Sequence, residues 1–369
     1  MKVLAIGPQR FISNYTFTGD AVQMRKTVER MRNIADCDVT CAYYSNATSP
    51  LQTAEGDTIP WEEIGRRFDV AHFFAIPPSS FRSLKTELAQ LPTLVSTVYW
   101  GNWLRAYVSF KNEHRLIHLY IWVHYIFNRV FFKKRLLFPW CTCILPNSWA
   151  EGNAFRQEYK LSAHCLNRPV PNALEWKHDL SSLTRPSYLP KGDYIVCPGV
   201  FAPRKNQLSL IRALKGSNIP VVFVGKAPAG KEYLIERCKR EADGNFHFVG
   251  FKSSEESEYW AILKYARCAV LPSDCETPGI AMLEAAAAGV RPILPIHGGT
   301  QEYYGLLAQY LNPLSSESIA VAVKEAWAQG RLTEEEAASF RRFTWQWTAE
   351  LTYKAYQDSI TAWRHARHS

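Results

Sequence analysis

The chain has 369 residues, of which 47% are hydrophobic and 21% charged, so it is long enough for two ordinary domains and is not a disordered protein. Lys and Arg outnumber Asp and Glu by 43 to 34, and this net charge of +9 suits an anionic partner such as a nucleotide phosphate, an acidic lipid surface or nucleic acid. Nine unevenly spaced cysteines and a first segment that favours a strand over a signal peptide lead us to expect a cytoplasmic protein.

Apolar strands alternate with helical stretches along both halves of the chain. The predicted strands are 3–6, 39–44, 70–74, 94–98 and 143–146 in the first half, and 194–197, 221–225, 246–249, 268–271 and 292–295 in the second. This alternation predicts an α/β protein with two doubly wound, Rossmann-like parallel sheets, which we expect to face each other across a cleft.

A segment rich in Pro and Gly, 171–192, is the predicted linker between these halves. The expected domains are therefore 1–172 and 190–344. An aromatic helix, 345–369, is expected to pack back onto the first domain, with its tryptophans serving as anchors rather than as ligand contacts.

Several familiar sites are absent from the sequence. Neither half has a Gly-x-Gly-x-x-Gly after its first strand, and there is no P-loop, which counts against a dehydrogenase and a P-loop NTPase. A His-x-Glu with a cysteine pair is also missing, which counts against a zinc deaminase. Cys141 and Cys143 have no second Cys or His pair at ligand spacing, so we expect no metal and no cofactor.

The most informative segment is 272–289, which follows the apolar strand 268–271. Pro278 and Gly279 open a helix there and Gly289 closes it, so that Glu276 lies in the loop before the helix and Glu284 more than one turn inside it. The free N–H groups of the first helical turn, from about Gly279 and Ile280, lie between the two carboxylates and can receive an anion. This arrangement predicts a nucleotide-sugar site.

The second half resembles the retaining GT-B glycosyltransferases that are often called family 4. The resemblance rests on the order and spacing of five segments: 199–207 (GVFAPRKNQ), 224–225 (VG), 248–251 (FVGF), 272–289 and 298–303 (GGTQEY). The first half resembles the family in architecture, and in the segments 147–148 and 170–173.

The resemblance implies a role for several residues around the donor. In the family, the lysine that matches Lys205 binds the donor diphosphate. A fixed ammonium at this position would stabilise the negative charge that builds on the leaving group. The other residues that it assigns to the donor site are Arg204 beside Lys205, Phe251 near the base, Gly279 and Ile280 on the diphosphate, Glu284 on the ribose, Glu276 on the sugar, and Gly19 in a loop of the first half.

Each of these assignments has a plainer alternative. Lys205 could be a solvated surface lysine, Glu284 a helix-surface residue paired with a cation, and Glu276 a residue favoured by the helix dipole. A single glycine such as Gly19 also fits an ordinary turn. The chain departs from the family at Val200, where an arginine is usual, so that one of the two phosphate cations is missing or replaced.

Three features of the first half stay open. His72 could face the cleft or be a satisfied core histidine, and the aromatic run 99–103 could stack on an acceptor sugar or fill core. Between 103 and 135 there are seven Lys or Arg and one Glu, in a stretch too short in apolar residues to span a bilayer. It fits a helix on an anionic membrane surface, or a helix with one face in the core. No nucleic-acid motif accompanies it, and no nucleic-acid partner is expected.

The sequence therefore predicts a glycosyltransferase that moves a sugar from a UDP-linked donor to a hydroxyl acceptor on a glycan or lipid-linked glycan, and the family resemblance implies that the transfer retains the anomeric configuration. It would work in the cytoplasm or on the inner face of the membrane. Two alternatives remain: a nucleotide-sugar-binding protein with little turnover, which Val200 favours, and a nucleotide-sugar epimerase on the same scaffold.

Overall fold

The computed structural model describes residues 1–12, 19–99, 138–176 and 179–368. They form two compact units. The first unit comprises Met1–Asn172 and Trp345–Ser369, and the second comprises Ala173–Thr344. The chain thus passes into the second unit at Ala173, near the beginning of the segment that the sequence marks as a linker.

The first unit is built on an eight-stranded sheet with the order β4-β3-β2-β1-β5-β6-β7-β8. Its strands are β1 Lys2–Pro8, β2 Asp38–Tyr44, β3 Leu51–Thr53, β4 Thr58–Ile59, β5 Val70–Phe73, β6 Thr93–Ser96, β7 Cys141–Leu145 and β8 Leu166–Asn167. Neighbouring strands pair parallel, with two exceptions at one edge, where β2 pairs antiparallel with β3, and β3 pairs antiparallel with β4. Its described helices are α1 Gly19–Met31, α2 Ile64–Arg67, α3 Lys85–Leu88, α4 Trp149–Glu158 and, at the C-terminus, α12 Trp345–His368.

Helices cover both faces of this sheet, and β1 shows why its sequence is a continuous apolar run. Val3 and Ala5 belong to the core cluster that contains residues of α1 and α12, whereas Leu4 and Ile6 belong to a cluster on the other face. All four side chains are 0% exposed. A strand buried on both faces has no polar alternation, because neither face meets water.

The C-terminal helix α12 packs against α1 and β7 of the first unit. Tyr356 on this helix is buried, and its hydroxyl lies 2.8 Å from Nδ1 of His72, whose Nε2 lies 2.9 Å from the hydroxyl of Ser96. Complete burial lowers the pKa of His72 to about 3, so that the ring is neutral. Of the two interpretations of His72, the structure therefore shows the satisfied core histidine.

The second unit has a six-stranded, wholly parallel sheet with the order β11-β10-β9-β12-β13-β14. Its strands are β9 Ile195–Pro198, β10 Val221–Val224, β11 Phe246–Phe248, β12 Cys268–Val270, β13 Arg291–Pro295 and β14 Gln309–Leu311. Its helices are α5 Gln207–Leu214, α6 Tyr233–Glu241, α7 Ser257–Tyr265, α8 Ile280–Ala287, α9 Thr300–Tyr304, α10 Ser316–Gln329 and α11 Glu334–Phe340. The predicted α/β class with two Rossmann-like parallel sheets is confirmed.

The ten predicted strands are present, with ends that differ by at most two residues. The sequence analysis did not identify β3, β4, β8 and β14, which have two or three residues each. Such strands are too short for periodicity to separate them from loops.

The segment 103–135 lies outside the described residues, as does all of 99–103 except Tyr99. Among the helices that the structure does describe, none combines the length and the apolar character that crossing a membrane requires.

Candidate functional site

Three loops meet closely at the carboxyl edge of the second sheet, where β9, β10 and β11 end. The amide of Gly199 donates to the carbonyl of Val224 at 2.8 Å, and the amide of Gly225 donates to that of Gly250 at 2.8 Å. A Cβ on Gly225 would lie 1.9 Å from the carbonyl oxygen of Gly199. Only glycine permits this approach, which brings the three loops side by side.

Lys205 ends a short 3₁₀ turn, Pro203–Lys205, between β9 and α5. Its side chain is not a solvated surface lysine, because the residue is only 8% exposed and its Nζ lies 2.5 Å from Oε1 of Glu276. Arg204 is half-exposed and lies 3.6 Å from the same oxygen. The amide of Asp274 donates to the carbonyl of Arg204 at 2.9 Å, which joins the loop after β9 to the loop after β12.

Glu276 is fixed through its main chain to the loop that follows β13. Its amide donates to the carbonyl of His297 at 3.3 Å, and the amide of Gly299 donates to its carbonyl at 3.0 Å. A Cβ on Gly298 would lie 2.1 Å from that same carbonyl oxygen, so this position also requires glycine. The carboxylate is thereby held where the loops after β9, β12 and β13 converge.

The electrostatics of Glu276 show a charged carboxylate in a buried setting. Burial alone would raise its pKa, but the cations of Lys205 and Arg204 outweigh burial and hold the pKa below its usual value. Glu276 therefore carries its negative charge at neutral pH and pairs with Lys205.

The first turn of α8 begins beside this ion pair. Gly279 is the N-cap, with a φ of 74°, and no side chain caps the helix. Oε2 of Glu276 lies 3.5 Å from the point where a Cβ on Gly279 would stand. Gly279 and Ile280 are only half-buried, so their amides at the positive end of the helix can reach an anion next to Lys205 and Glu276.

Glu284 lies on the same helix and is 7% exposed, so it is not the surface residue of the plainer alternative. Burial raises the pKa of its carboxyl to about 7, against the effect of hydrogen bonds from Tyr259 and Ser254. The hydroxyl of Tyr259 donates to Oε2 at 2.6 Å. The hydrogen-bond partner of Glu284 is therefore a tyrosine, whereas the alternative of a helix-surface residue required a cation.

Tyr304 lies near both carboxylates. Its hydroxyl donates to the carbonyl of Pro278 at 3.1 Å, next to the beginning of α8. Burial raises the pKa of this phenol, and the negative charges of Glu276 and Glu284 both add to that effect. Tyr304 is therefore a neighbour that the two carboxylates share.

Phe251 lies in the loop after β11 and is 39% exposed. The ammonium of Lys226, from the loop after β10, lies 4.8 Å from the centre of its ring. The amide of Phe201 donates to the carbonyl of Lys226 at 3.0 Å, so Lys226 is a main-chain neighbour of the segment that contains Val200. The ammonium of Lys226 thus lies beside Phe251, and its main chain lies beside the segment that contains Val200.

Sequence reasoning missed both Lys226 and Tyr259. Lys226 directly follows the Val224-Gly225 pair, so the residue after that pair was the signal that could have found it. Tyr259 has no such signal, because it lies on a different helix from Glu284, and only the folded structure brings the two side chains together.

Gly19, in the first unit, is the exposed first residue of α1. Among the described residues, no group of three or more His, Cys, Asp or Glu side chains is placed to hold a metal ion.

Comparisons with known proteins give one family match, in the second half of the chain. Residues 185–335 match the model of the family described as glycosyl transferases group 1. None of the curated proteins compared matches the sequence.

Similar solved structures include three that match nearly the whole chain. Sucrose-phosphate synthase from Thermosynechococcus elongatus is 17% identical, with 98% of this chain and 100% of that chain covered and a TM-score of 0.63. HepE from Anabaena, in complex with UDP and glucose, is 15% identical over 97% and 100% of the chains, with a TM-score of 0.59. The E. coli trehalose-6-phosphate protein bound with UDP-2-fluoro glucose is 9% identical over 98% and 99%, with a TM-score of 0.62. At these identities the likeness shows the fold.

The fold is that of the GT-B glycosyltransferases. Within the second unit, residues 185–335 resemble a glycosyl transferases group 1 domain, a match that covers less than half of the chain. The resemblance read from the sequence is confirmed at that level.

Proposed function

We propose that the protein is a retaining glycosyltransferase that moves a sugar from a UDP-linked donor to a hydroxyl on a glycan or lipid-linked acceptor. The donor binds to the second unit. The observation that carries this proposal is the convergence of Lys205, Glu276 and the first turn of α8 at one edge of the sheet, with Glu284 one turn further along the helix.

The positive groups of this site suit a diphosphate. Lys205 and the amides of Gly279 and Ile280 are fixed in place before any ligand arrives, so they can stabilise the charge that develops on the departing phosphate without reorganising. Arg204 is half-exposed at 3.6 Å from Glu276 and adds a second cation nearby. With these groups present, the proposed reaction uses no metal ion.

The carboxylates take the neutral parts of the donor. Glu284 accepts hydrogen bonds from the ribose hydroxyls, and Glu276 orients the transferred sugar through its hydroxyl groups. Glu276 is already paired with Lys205, and we assign no side chain of the described residues as a nucleophile. Transfer therefore proceeds on one face of the sugar, with the leaving phosphate as the base, which retains the anomeric configuration.

Two observations support a uridine nucleotide and a place for the base. Solved structures of the same fold contain UDP with glucose and UDP-2-fluoro glucose. The exposed ring of Phe251, together with Lys226, offers a surface for the base at the end of β11. The first unit supplies the acceptor surface, the family resemblance assigns Gly19 of that unit to the sugar and diphosphate of the donor, and the protein acts in the cytoplasm or at the inner face of the membrane.

A panel of UDP-, GDP- and ADP-sugars tests this proposal. Binding is measured by thermal shift and calorimetry, and donor turnover by release of the nucleotide, with the anomeric configuration of the product read by NMR. We expect a UDP-sugar to bind and turn over, and Lys205→Ala to lose most of the turnover.

The matched control is Lys239→Ala, an exposed lysine of the same unit that pairs with Glu236 at 2.9 Å. Failure of all three nucleotides to bind, or equal turnover in wild type and Lys205→Ala, would contradict the proposal.

Val200 favours one other function, a nucleotide-sugar-binding protein with little turnover. An exposed valine stands where the related enzymes usually have a phosphate-binding arginine. Tight UDP binding together with background release in wild type and Lys205→Ala alike would favour this function over the transferase.

A further inference from the structure

Tyr259 joins two helices of the proposed donor site. It lies on α7, which begins six residues after Phe251 in the chain, whereas Glu284 lies on α8. Its ring is 4% exposed and packs edge-on against Trp260, with the ring centres 5.7 Å apart. The hydroxyl donates to Oε2 of Glu284 at 2.6 Å. The side chain is therefore fixed, and it presents one donor to one carboxylate oxygen.

Glu284 has few partners for a carboxylate so deeply buried. Among the described residues, the polar groups near it come from three elements: the hydroxyl of Tyr259 on α7, Ser254 in the loop before α7, and Tyr304 on α9, which is also near Glu276. In the part of the chain that the structure describes, none of these groups is a cation. An ionised carboxylate accepts about four hydrogen bonds, so two acceptor positions remain when Tyr259 and Ser254 are bound.

We infer that Tyr259 is a positioning residue for the proposed donor, and that it holds the carboxylate of Glu284 in the orientation that receives the ribose hydroxyls. This inference rests on the proposed function, since it needs a nucleotide at this site. The two remaining acceptor positions of Glu284 match the two vicinal hydroxyls of a ribose. Tyr259 does not touch the donor itself.

The role of Tyr259 has a consequence for the pH dependence of binding. Burial raises the pKa of Glu284 to about 7, and the hydrogen bond from Tyr259 opposes that rise because it favours the charged form. The charged carboxylate is the better acceptor for ribose hydroxyls. Nucleotide affinity should therefore increase as the pH rises through the pKa of Glu284, and removal of the tyrosine hydroxyl should move this increase to higher pH.

The experiment is calorimetric titration of the full-length protein with UDP and with 2′-deoxy-UDP between pH 6 and pH 9. We compare wild type with Tyr259→Phe, which removes only the hydroxyl. The matched control is Tyr265→Phe, on the same helix, whose hydroxyl donates instead to the carbonyl of Leu183 at 3.0 Å. Glu284→Gln removes the titrating group and shows how much of the profile comes from UDP itself.

At pH 7 we expect Tyr259→Phe to bind UDP about two- to tenfold more weakly, the usual range for one lost hydrogen bond. It should also discriminate less between UDP and 2′-deoxy-UDP, and its affinity should rise at higher pH than in wild type. Tyr265→Phe should follow the wild-type profile. A tyrosine that serves only packing would lower the melting temperature and leave the pH midpoint and the discrimination unchanged.

Tyr259→Phe and wild-type profiles with the same midpoint and the same ratio of UDP to 2′-deoxy-UDP affinity would overturn the inference. If Tyr259→Phe does not fold, the comparison of wild type with Glu284→Gln still tests the inference. An increase of UDP affinity with pH that is the same in Glu284→Gln as in wild type would overturn the inference as well. A wild type that binds no nucleoside diphosphate would overturn the proposed function, and this inference with it.

Discussion

The buried ion pair of Lys205 and Glu276 can be tested without any ligand. The side chains are 10% and 6% exposed, with 2.5 Å between Nζ and Oε1. Lys205→Met keeps most of the volume of the side chain but leaves the carboxylate buried without its nearest cation. Removal of one partner of a buried pair costs about 3–5 kcal/mol of unfolding free energy.

Arg204 reduces this expected loss. It remains 3.6 Å from Oε1 of Glu276, but it is half-exposed and therefore recovers at most about 1 kcal/mol, as a surface ion pair does. We expect Lys205→Met to lower the free energy of unfolding by about 2–4 kcal/mol at pH 7.5. Lys205→Met combined with Glu276→Gln should recover part of this loss, because the double variant buries no unpaired charge.

The loss in Lys205→Met should depend on pH in a defined direction. In wild type the pKa of Glu276 is lowered, so its stabilising effect is present above the unfolded pKa of about 4.3 and disappears as the pH falls through the folded value. In Lys205→Met burial is no longer opposed by the lysine, and the pKa of Glu276 rises. The folded variant then prefers the protonated carboxyl, so its deficit should be smaller at pH 5 than at pH 7.5.

Urea unfolding followed by tryptophan fluorescence at both pH values measures this deficit. The control is Lys239→Met, which removes a lysine from an exposed pair with Glu236 and should change stability little. A deficit in Lys205→Met that equals the control, or one that does not change between pH 5 and pH 7.5, would refute this explanation of the pair.

Three further predictions concern stability in the second unit. The folded pKa of Glu284 is raised to about 7, so ionisation of its carboxyl costs stability as the pH rises above the pKa of the unfolded state, by up to about 3 kcal/mol at pH 8. In urea unfolding without ligand, Glu284→Gln should therefore lose less stability than wild type between pH 5 and pH 8. Gly298→Ala places a Cβ 2.1 Å from the carbonyl oxygen of Glu276, at a φ of 109°, and should lower the melting temperature strongly. The control is Gly244→Ala, whose Cβ would have no atom within 4 Å and should leave the melting temperature unchanged. Equal melting temperatures in the two variants would contradict this prediction. Thr333→Ala removes the capping box of α11 and should cost about 1 kcal/mol of unfolding free energy while UDP affinity stays at the wild-type value, so a loss of affinity would be unexpected.

The parts of the site that follow parallel strands could be predicted from the sequence. Lys205 and Glu276 are 71 residues apart, but each comes soon after a buried strand, and β9 and β12 are neighbours in the sheet. Parallel strands end at the same edge, so residues in the loops that follow them meet there. The position of Glu284 was predicted differently, from its helical spacing after Glu276.

The parts that depend on tertiary packing could not be predicted. Tyr259 on α7 donates a hydrogen bond to Glu284 on α8, and no local pattern in the sequence predicts a contact between these two helices. The pairing of Lys226 with Phe251 joins two loops that follow different strands. The burial of Lys205 could not be predicted either, since a lysine in a polar loop segment is usually exposed.

The structure of the protein with UDP bound would decide where the donor lies. We expect the diphosphate within hydrogen-bond distance of the Gly279 and Ile280 amides and of Nζ of Lys205, with the ribose hydroxyls on Glu284. A fully occupied UDP that contacts none of these groups would contradict the assignment of the donor site to this edge of the second sheet.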